Sequence, residues 1–483
     1  MEKLIKVRFA PSPTGYLHLG SLRVALFNWL FARHNKGKFI IRIEDTDFSR
    51  SEKKYVDSIL DPLRWVNIES DEPIIFQSDR LDIYNKIALK LLEEDLAYYC
   101  FCKEEEKLDK EHNLEYKTYS QVCRNLSKQE IEQKIKDNIS RVIRFKIPKD
   151  IERIEFSDLI RGQLSFSIDQ FDDFIIVRSD NIPTYNFVVV VDDHYMDITH
   201  VLRGEEHISN TPKQVLLYKA CNFNMPLFGH FPLILSPEGG KLSKRHAATS
   251  VDIYRQEGFL PDALCNYLVR LGWSHGDQEI FTRQELIEYF SLNDVNKSGA
   301  VFDIKKLHWL NGVYIRNLNP LDIFDYIIRD MNSAVFENLK EWDKDKILKF
   351  IDLYKDRVQT LQELLNNILD IYNLKYDQAL LVDLLKLDYV NVIIIVLDKI
   401  IEFLELLPDL TYEVISDYVK SIAKEFDLKL GQVAVPIRIA LTGKTSSPGI
   451  FDIILILGKK ESISRIKSLI NALKDRNISS DLS

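Results

Sequence analysis

Cysteine is scarce. The 483-residue chain has five, at 100, 102, 123, 221 and 265. An odd, sparse set does not staple a chain of this length, which excludes a disulfide framework. Long apolar runs are missing too; nothing approaches the ~18–20 residues a membrane helix needs. The greasiest stretch, "YVNVIIIVLDKIIEFLELL", is broken by Asp398, Lys399, Glu402 and Glu405 and reads as a buried amphipathic helix. The opening "MEKLIKVRFA" has no signal-peptide core, so a cytoplasmic protein is expected. Internal repeats and low-complexity tracts are absent. Positive charge is not in excess: 64 Lys and Arg against 73 Asp and Glu give a net charge of −9. That excludes a blanket nucleic-acid coat and leaves local basic tracks to decide any phosphate contact. With 46% hydrophobic and 28% charged residues the composition is that of a soluble globular protein. The length suits about three or four domains.

What is there begins at once. Residues 4–10, "LIKVRFA", read as a strand, and "PSPTGYLHLG" follows as a loop with two prolines and two glycines. From Leu19 the period turns helical, with Leu19, Leu22, Leu26, Trp29 and Leu30 on one face. "NKGK" at 35–38 ends that helix, and "FIIRI" at 39–43 reads as a second, doubly covered strand. Strand, helix and strand at this spacing predict a βαβ unit with parallel strands and a right-handed crossover. A Lys/Glu-rich stretch with cysteines follows from about 100 to 140, then short β-like segments ("RVIRFKI", "LSFSI"). "FIIVRS" at 174–179 and "YNFVVVVDD" at 185–193 resume buried-strand character, as if an insertion interrupts one nucleotide-type sheet. From about 250 the period is almost wholly helical, with caps read at "SHGDQE" and "NPLD".

The punctuated loop has a physical use. In an open parallel sheet, ligands bind beyond the carboxyl ends of the strands. Glycine lets the backbone come close, and a helix starting near Leu19 aims its N–H groups and positive dipole end at that edge. Phosphate is the natural guest, with His18 and the backbone near Gly20 as donors. The plain alternative is a turn with nothing bound. No GKS or GKT follows the glycines, so this is not a Walker loop. "KLSKR" at 241–245 follows the turn "SPEGG". Lys241 and Lys244 on a glycine-hinged loop can neutralise charge developing on a polyphosphate, or can simply be solvated. Glu44 opens "EDTD" at the end of the second strand and would repel a triphosphate; it suits a cationic group such as an ammonium, or caps the next helix. Arg8 and Arg203 stand in segments expected to be buried. Each needs a partner, either a ligand or an acid such as Glu205 or Asp192.

Together these residues resemble a class I aminoacyl-tRNA synthetase of the bacterial glutamyl type. The segments that carry the likeness are "RFAPSPTGYLHLGSLRVALFNWLFAR", "FIIRIEDTD", "PTYNFVVVVDDHYMDITHVLRGEEHISNTP", "KLSKRH" and "YLVRLGWSHGDQEIF", similar in order and spacing through about residue 310. The HIGH signature is written here as His18-Leu19-Gly20-Ser21, and KMSKS as Lys241 to Arg245 with Leu for Met and Arg for the final Ser. The resemblance implies an α/β fold: a Rossmann-type parallel nucleotide-binding sheet with an inserted α+β acceptor-binding domain, followed by an all-α C-terminal anticodon-binding region. It places the catalytic halves at 1–98 and 178–250, the insertion at 99–177, a helical stem-contact domain at 251–312 and the anticodon-binding part at 313–483.

It also implies the chemistry. ATP, with Mg²⁺, activates L-glutamate to glutamyl-adenylate, and the 2′-hydroxyl of the terminal adenosine of tRNA(Glu) takes the glutamyl group. No covalent enzyme nucleophile is required. Carried over by position, His18 and Lys244 hold phosphates with Lys241 assisting. Gly20, Gly204, Glu206 and Leu235 line the nucleotide pocket. Arg8, Tyr185 and Arg203 grip the side-chain carboxylate, Glu44 takes the ammonium, and Ser12 lies alongside. Arg357 and Arg438, the latter near Ser447 and Pro448, match positions that meet anticodon bases; surface charge is the alternative for each. Some relatives hold Zn²⁺ through a Cys-x-Cys, Tyr, Cys set, which here would be Cys100, Cys102, Tyr119 and Cys123. His112 is another candidate fourth ligand, and idle thiols are the plain alternative. A monomer without membrane association is expected. A glutamate-activating tRNA-modifying paralogue, a silent tRNA-binding scaffold, or an enzyme that also charges tRNA(Gln) are the competing readings.

Overall fold

The computed structural model describes residues 4–46, 53–102, 121–240, 242, 250–331, 339 and 342–480. Lys241, Lys244, Tyr119 and His112 lie outside the described residues.

The chain forms two compact units, Met1–Ile253 with Pro261–Ile304, and Tyr254–Leu260 with Lys305–Ser483. In the first, β1 (Lys6–Phe9), β2 (Lys38–Ile43), β3 (Ile75–Phe76), β9 (His200–Gly204) and β10 (Leu227–Phe231) form a parallel sheet. The edge is extended by β6 (Arg153–Asp158), parallel to β10, and by its hairpin partner β7 (Gly162–Ser167). The order is β3-β2-β1-β9-β10-β6-β7. The chain therefore leaves β1 towards β2 and returns on its other side as β9, the kind of reversal beyond which open sheets bind ligands.

Helix α1 (Leu19–His34) crosses from β1 to β2 as the period predicts. Helices α2 (Lys53–Trp65), α3 (Leu81–Glu93), α4 (Lys128–Lys136), α5 (Tyr185–Tyr195) and α6 (Thr211–Ala220) follow in this unit. A separate three-stranded sheet holds β4 (Ala97–Cys100), β5 (Val142–Phe145) and β8 (Ile175–Val177).

Three sequence expectations need correction. "YNFVVVVDD" is not a strand: it is α5, with Phe187 to Asp193 all buried. Its β-branched run is apolar on every face because it packs in the interior, and run length alone does not separate a buried strand from a buried helix. "FIIVRS" contributes β8 to the small sheet rather than to the nucleotide sheet. "SHGDQE" is a loop; the next helix starts at Arg283, capped by Thr282 through a reciprocal pair with Glu285. "NPLD" is a cap as expected, with Asn319 accepting from the Asp322 N–H and Pro320 in the first turn.

The second unit is helical over its described residues. The apolar stretch near 390 is a helix, Val390–Leu406, with Val390, Ile393, Ile394, Val396, Leu397, Ile400, Ile401 and Leu404 buried. Among the described residues, no helix is long and apolar enough to cross a membrane.

Candidate active site

A cavity of about 870 Å³ opens at the carboxyl ends of β1 and β9. It is lined by Arg8, the loop Phe9 to Gly20, Glu44, Tyr185, the end of β9 from Leu202 to Gly204, Glu206 and His207, then Pro232 to Ile234. Its size and its position at the chain reversal are those of a small-molecule site.

At one end stands the start of α1. His18 is its N-cap: Nδ1 accepts from the Ser21 N–H at 3.2 Å, and Nε2 lies 3.0 Å from the Ser21 hydroxyl. No acidic residue occupies the first turn, so the helix's positive end is left to a ligand. A Cβ on Gly20 would sit 3.2 Å from His18 Nδ1, so glycine keeps room for the ring. A Cβ on Gly204 would run into the Glu206 carboxylate. The turn Ser236–Gly240 closes through a Gly240 carbonyl that accepts from Ser236 N, with Gly239 and Gly240 at φ +86° and +84°, where side chains are strained. Leu242 then returns to bond the Ile234 carbonyl, and it lines the cavity, as does Ser250, which bridges to His18. Leu242, inside the expected lysine segment, and Ser250, beyond it, thus stand at this cavity. Leu235 is not on the lining; Ile234 is, and Leu235 pairs with Val301 instead.

At the other end, charge is concentrated out of water. Arg8, Glu44 and Arg203 are at most 9% exposed. Arg8 does not pair with Asp192: its Nε donates to Asp193 Oδ1 at 3.1 Å. Arg42 Nη1 donates to the same oxygen at 2.6 Å and Nη2 to Glu44 at 3.3 Å. Asp192 is hydrogen-bonded by Gln77, Arg80 and Tyr84, and it also lies 3.6 Å from Arg42 Nε. Nor does Arg203 pair with Glu205, which binds Arg161 and the Leu233 N–H. Arg203 has no acidic partner among the described residues. Its Nη1 is buried without a hydrogen bond.

Burial drives the titration here. It raises Glu44 to about 7, against the pull of Arg42 and Arg8. Burial also favours a neutral Asp193, but Arg8 and Arg42 outweigh it and hold that carboxyl below the usual range. Desolvation lowers Arg203, and it lowers His207 to about 4 with help from the Arg203 charge. His207 is therefore neutral near pH 7, its Nδ1 3.3 Å from the Tyr185 hydroxyl. Arg8 and Arg42 each have a carboxylate against them, whereas Arg203 has none among the described residues. An unpaired buried guanidinium suits an anionic group of a ligand.

Sequence reasoning missed Asp193, Arg42 and His207. The pair of acids ending an apolar run was a signal: buried carboxylates demand cations. Ser12 lies on the rim, exposed.

Elsewhere in this unit, Cys100, Cys102 and Cys123 bring their sulfurs within 4.8 Å of one another. Cys100 ends β4 and Cys123 lies in the turn Val122–Asn125. No disulfide joins any of the five cysteines. In the second unit, Arg357 is exposed, and Arg438 donates from Nε to Ser447 Oγ at 3.1 Å.

The class I tRNA synthetase (E and Q) catalytic-domain family matches residues 4–309, and an anticodon binding domain family matches 334–470. The chain is 44% identical to a glutamate–tRNA ligase of Thermodesulfovibrio yellowstonii over 97% of its length and 100% of the relative's. It is 45% identical to that of Aquifex aeolicus, over 97% and 99%. The crystal structure of a glutamate tRNA ligase from Elizabethkingia meningosepticum, in complex with its amino acid, aligns with a TM-score of 0.87 at 34% identity, covering 98% of this chain and 100% of that one. The fold, the cavity at the sheet reversal and these full-length likenesses lead to one conclusion: the chain belongs to the class I glutamate–tRNA ligases.

Proposed function

We propose that the protein uses ATP to join L-glutamate to tRNA(Glu). Glutamate's α-carboxylate attacks the α-phosphorus of ATP, pyrophosphate leaves, and glutamyl-adenylate forms. The 2′-hydroxyl of the terminal adenosine then attacks the activated carbonyl and AMP leaves. The carrying observation is the desolvated pair Arg8 and Arg203 beside Glu44 in the cavity that His18 and the start of α1 also face.

The arginines and Tyr185 take the side-chain carboxylate, and Glu44 takes the ammonium. Glutamate, with two carboxylates and one ammonium, supplies the missing negative charge. A neutral glutamine leaves buried guanidinium groups unpaired, a defect that can discriminate by ~10⁴–10⁵. At the nucleotide end, the α1 N-terminus, His18 and Gly20 receive phosphates, with Gly204 and Glu206 along the nucleoside. Lys241 and Lys244 neutralise the charge that builds on the leaving pyrophosphate, and Mg²⁺ arrives with ATP. Catalysis is positioning and charge stabilisation.

Cys100, Cys102 and Cys123 fit three corners of a tetrahedral Zn²⁺ site, with Tyr119 as the fourth ligand of the proposed set. The ion would tie β4 to the following turn and has no part in the reaction. Arg357 and Arg438 read anticodon bases by edge contact and stacking. The residue ranges 1–98, 99–177, 178–250, 251–312 and 313–483 serve as catalytic half, acceptor-stem insertion, catalytic half, stem-contact and anticodon-binding parts. The reading includes a monomer in the cytoplasm. The anticodon-domain match argues against a tRNA-modifying paralogue, which lacks that part. Pyrophosphate exchange with glutamate, followed by aminoacylation of purified tRNA(Glu) and tRNA(Gln), tests the assignment. Charging of neither tRNA overturns it, and charging of both makes the enzyme non-discriminating.

A further inference from the structure

Arg203 is held by residues that do not line the cavity. Its Nε donates to His230 Nε2 at 3.2 Å, and its Nη2 donates to Thr211 Oγ1 at 2.8 Å and Gln214 Oε1 at 2.9 Å. On the far side of the imidazole, His230 Nδ1 lies 2.5 Å from Asp158 Oδ2. Asp158 and His230 are both fully buried side chains. Asp158 ends β6 and accepts from the Ile160 and Arg161 N–H groups at 2.9 and 2.8 Å, so its carboxylate is anchored to backbone.

These contacts determine the tautomer. A carboxylate only accepts, so Nδ1 carries the proton; a guanidinium only donates, so Nε2 offers its lone pair. A guanidinium has five N–H donors. His230, Thr211 and Gln214 take those on Nε and Nη2, which leaves the two on Nη1, the buried atom without a partner.

We propose that Asp158 and His230 form a positioning relay that locks Arg203 with only Nη1 presented to the substrate carboxylate, and thereby set the preference for glutamate over aspartate. This rests on Arg203 binding that carboxylate. Aspartate carries the same groups on a chain one methylene shorter, a difference worth ~1–3 kcal/mol by fit alone. An arginine free to swing would follow the shorter acid; one clamped along its other edges cannot. Arg8 is clamped less: among the described residues its guanidinium has one hydrogen bond, from Nε to Asp193 Oδ1.

The decisive variant is Asp158→Asn. Asparagine keeps an oxygen for the backbone N–H groups, but its amide donates towards Nδ1. The proton then moves to Nε2 and confronts the Arg203 Nε–H. The same carboxylate-to-amide change inverts a histidine tautomer in the serine protease triad with geometry intact. By pyrophosphate exchange with tRNA present, we expect the glutamate KM to rise ~10-fold or more, the ATP KM to stay within ~2-fold, and the glutamate-to-aspartate ratio of kcat/KM to fall. His230→Gln keeps an acceptor near the Nε2 position; His230→Asn keeps only a donor near Nδ1. The glutamine variant should retain the lower glutamate KM. Equal KM values for the two, parallel shifts in glutamate and ATP KM, or unchanged discrimination in Asp158→Asn would overturn the relay. The underlying reading fails separately: Arg203→Lys with an unaltered glutamate KM removes Arg203 from the pocket whatever His230 does.

Discussion

Arg42 donates from Nη1 to Asp193 across 2.6 Å, with side chains 0% and 3% exposed. Asp193 also takes the Arg8 Nε, so one carboxylate separates two guanidiniums that would otherwise repel. Breaking a buried pair by removing one partner costs about 3–5 kcal/mol, because the other charge is left uncompensated. Asp193→Ala should therefore lower unfolding stability by about that amount in urea titration, and should impair glutamate binding through Arg8. A loss below about 1 kcal/mol, the scale of an exposed pair, would show that water reaches this cluster.

Glutamate affinity should depend on pH through Glu44. Burial raises this carboxyl to about 7 in the unliganded protein. An ammonium beside it favours the charged form, so the bound complex holds Glu44 ionised to lower pH. Below 7 the proton must leave before glutamate binds. Affinity is then full above that pH and falls ~10-fold per unit below it, until the lowered pKa of the complex is reached. Calorimetry in buffers of different ionisation enthalpy should record close to one proton released near pH 6. No release there would separate Glu44 from the ammonium.

Arg203→Ala should abolish glutamate-dependent adenylate formation while ATP still binds, because, of the two lining residues Arg203 and His18, only the first is proposed to hold glutamate. Equilibrium ATP binding and pyrophosphate exchange read the two effects apart. Near-normal exchange would exclude Arg203 from glutamate recognition.

Metal content tests the three thiols. Protein purified without chelator should hold close to one zinc per chain, and Cys123→Ser should lose most of it, since Cys123 Sγ lies 3.5 Å from Cys102 Sγ at the heart of the cluster. Full zinc content in that variant would place the metal elsewhere.

At the tRNA-reading end, Arg438→Ala should raise the KM for tRNA(Glu) with glutamate activation unchanged, at a cost of about 1–3 kcal/mol if the guanidinium reads a base edge. A uniform loss across tRNAs, with a weakened salt dependence, would mark it as a phosphate contact.

Much of this was legible in the chain. The β1–α1–β2 unit followed from periodicity and from "NKGK", because local hydrophobic spacing and a turn suffice to define it. The helix near 390 followed from charges interrupting an apolar run. Arg8, Glu44 and Arg203 stood out one by one and Tyr185 came from the family resemblance; the structure gathers all four in one cavity. Residues 185–193 read as a strand but form a helix, since an element covered on all sides has no polar face to reveal its period.

Residue type and order alone placed the groups with chemistry to offer: cations in segments expected to be buried, a helix starting after a bend with two prolines and two glycines, and thiols at 100, 102 and 123. Partner choice was decided only by the tertiary fold. Asp192 and Asp193 are neighbours of identical chemistry, yet one takes hydrogen bonds from Arg80 and Tyr84 and the other from Arg8, with Arg42 between them. Successive residues of a helix point about 100° apart. The side of α5 each acid takes, and hence the cation it meets, depends on how that helix packs against the sheet, a relation between distant segments that local sequence does not encode.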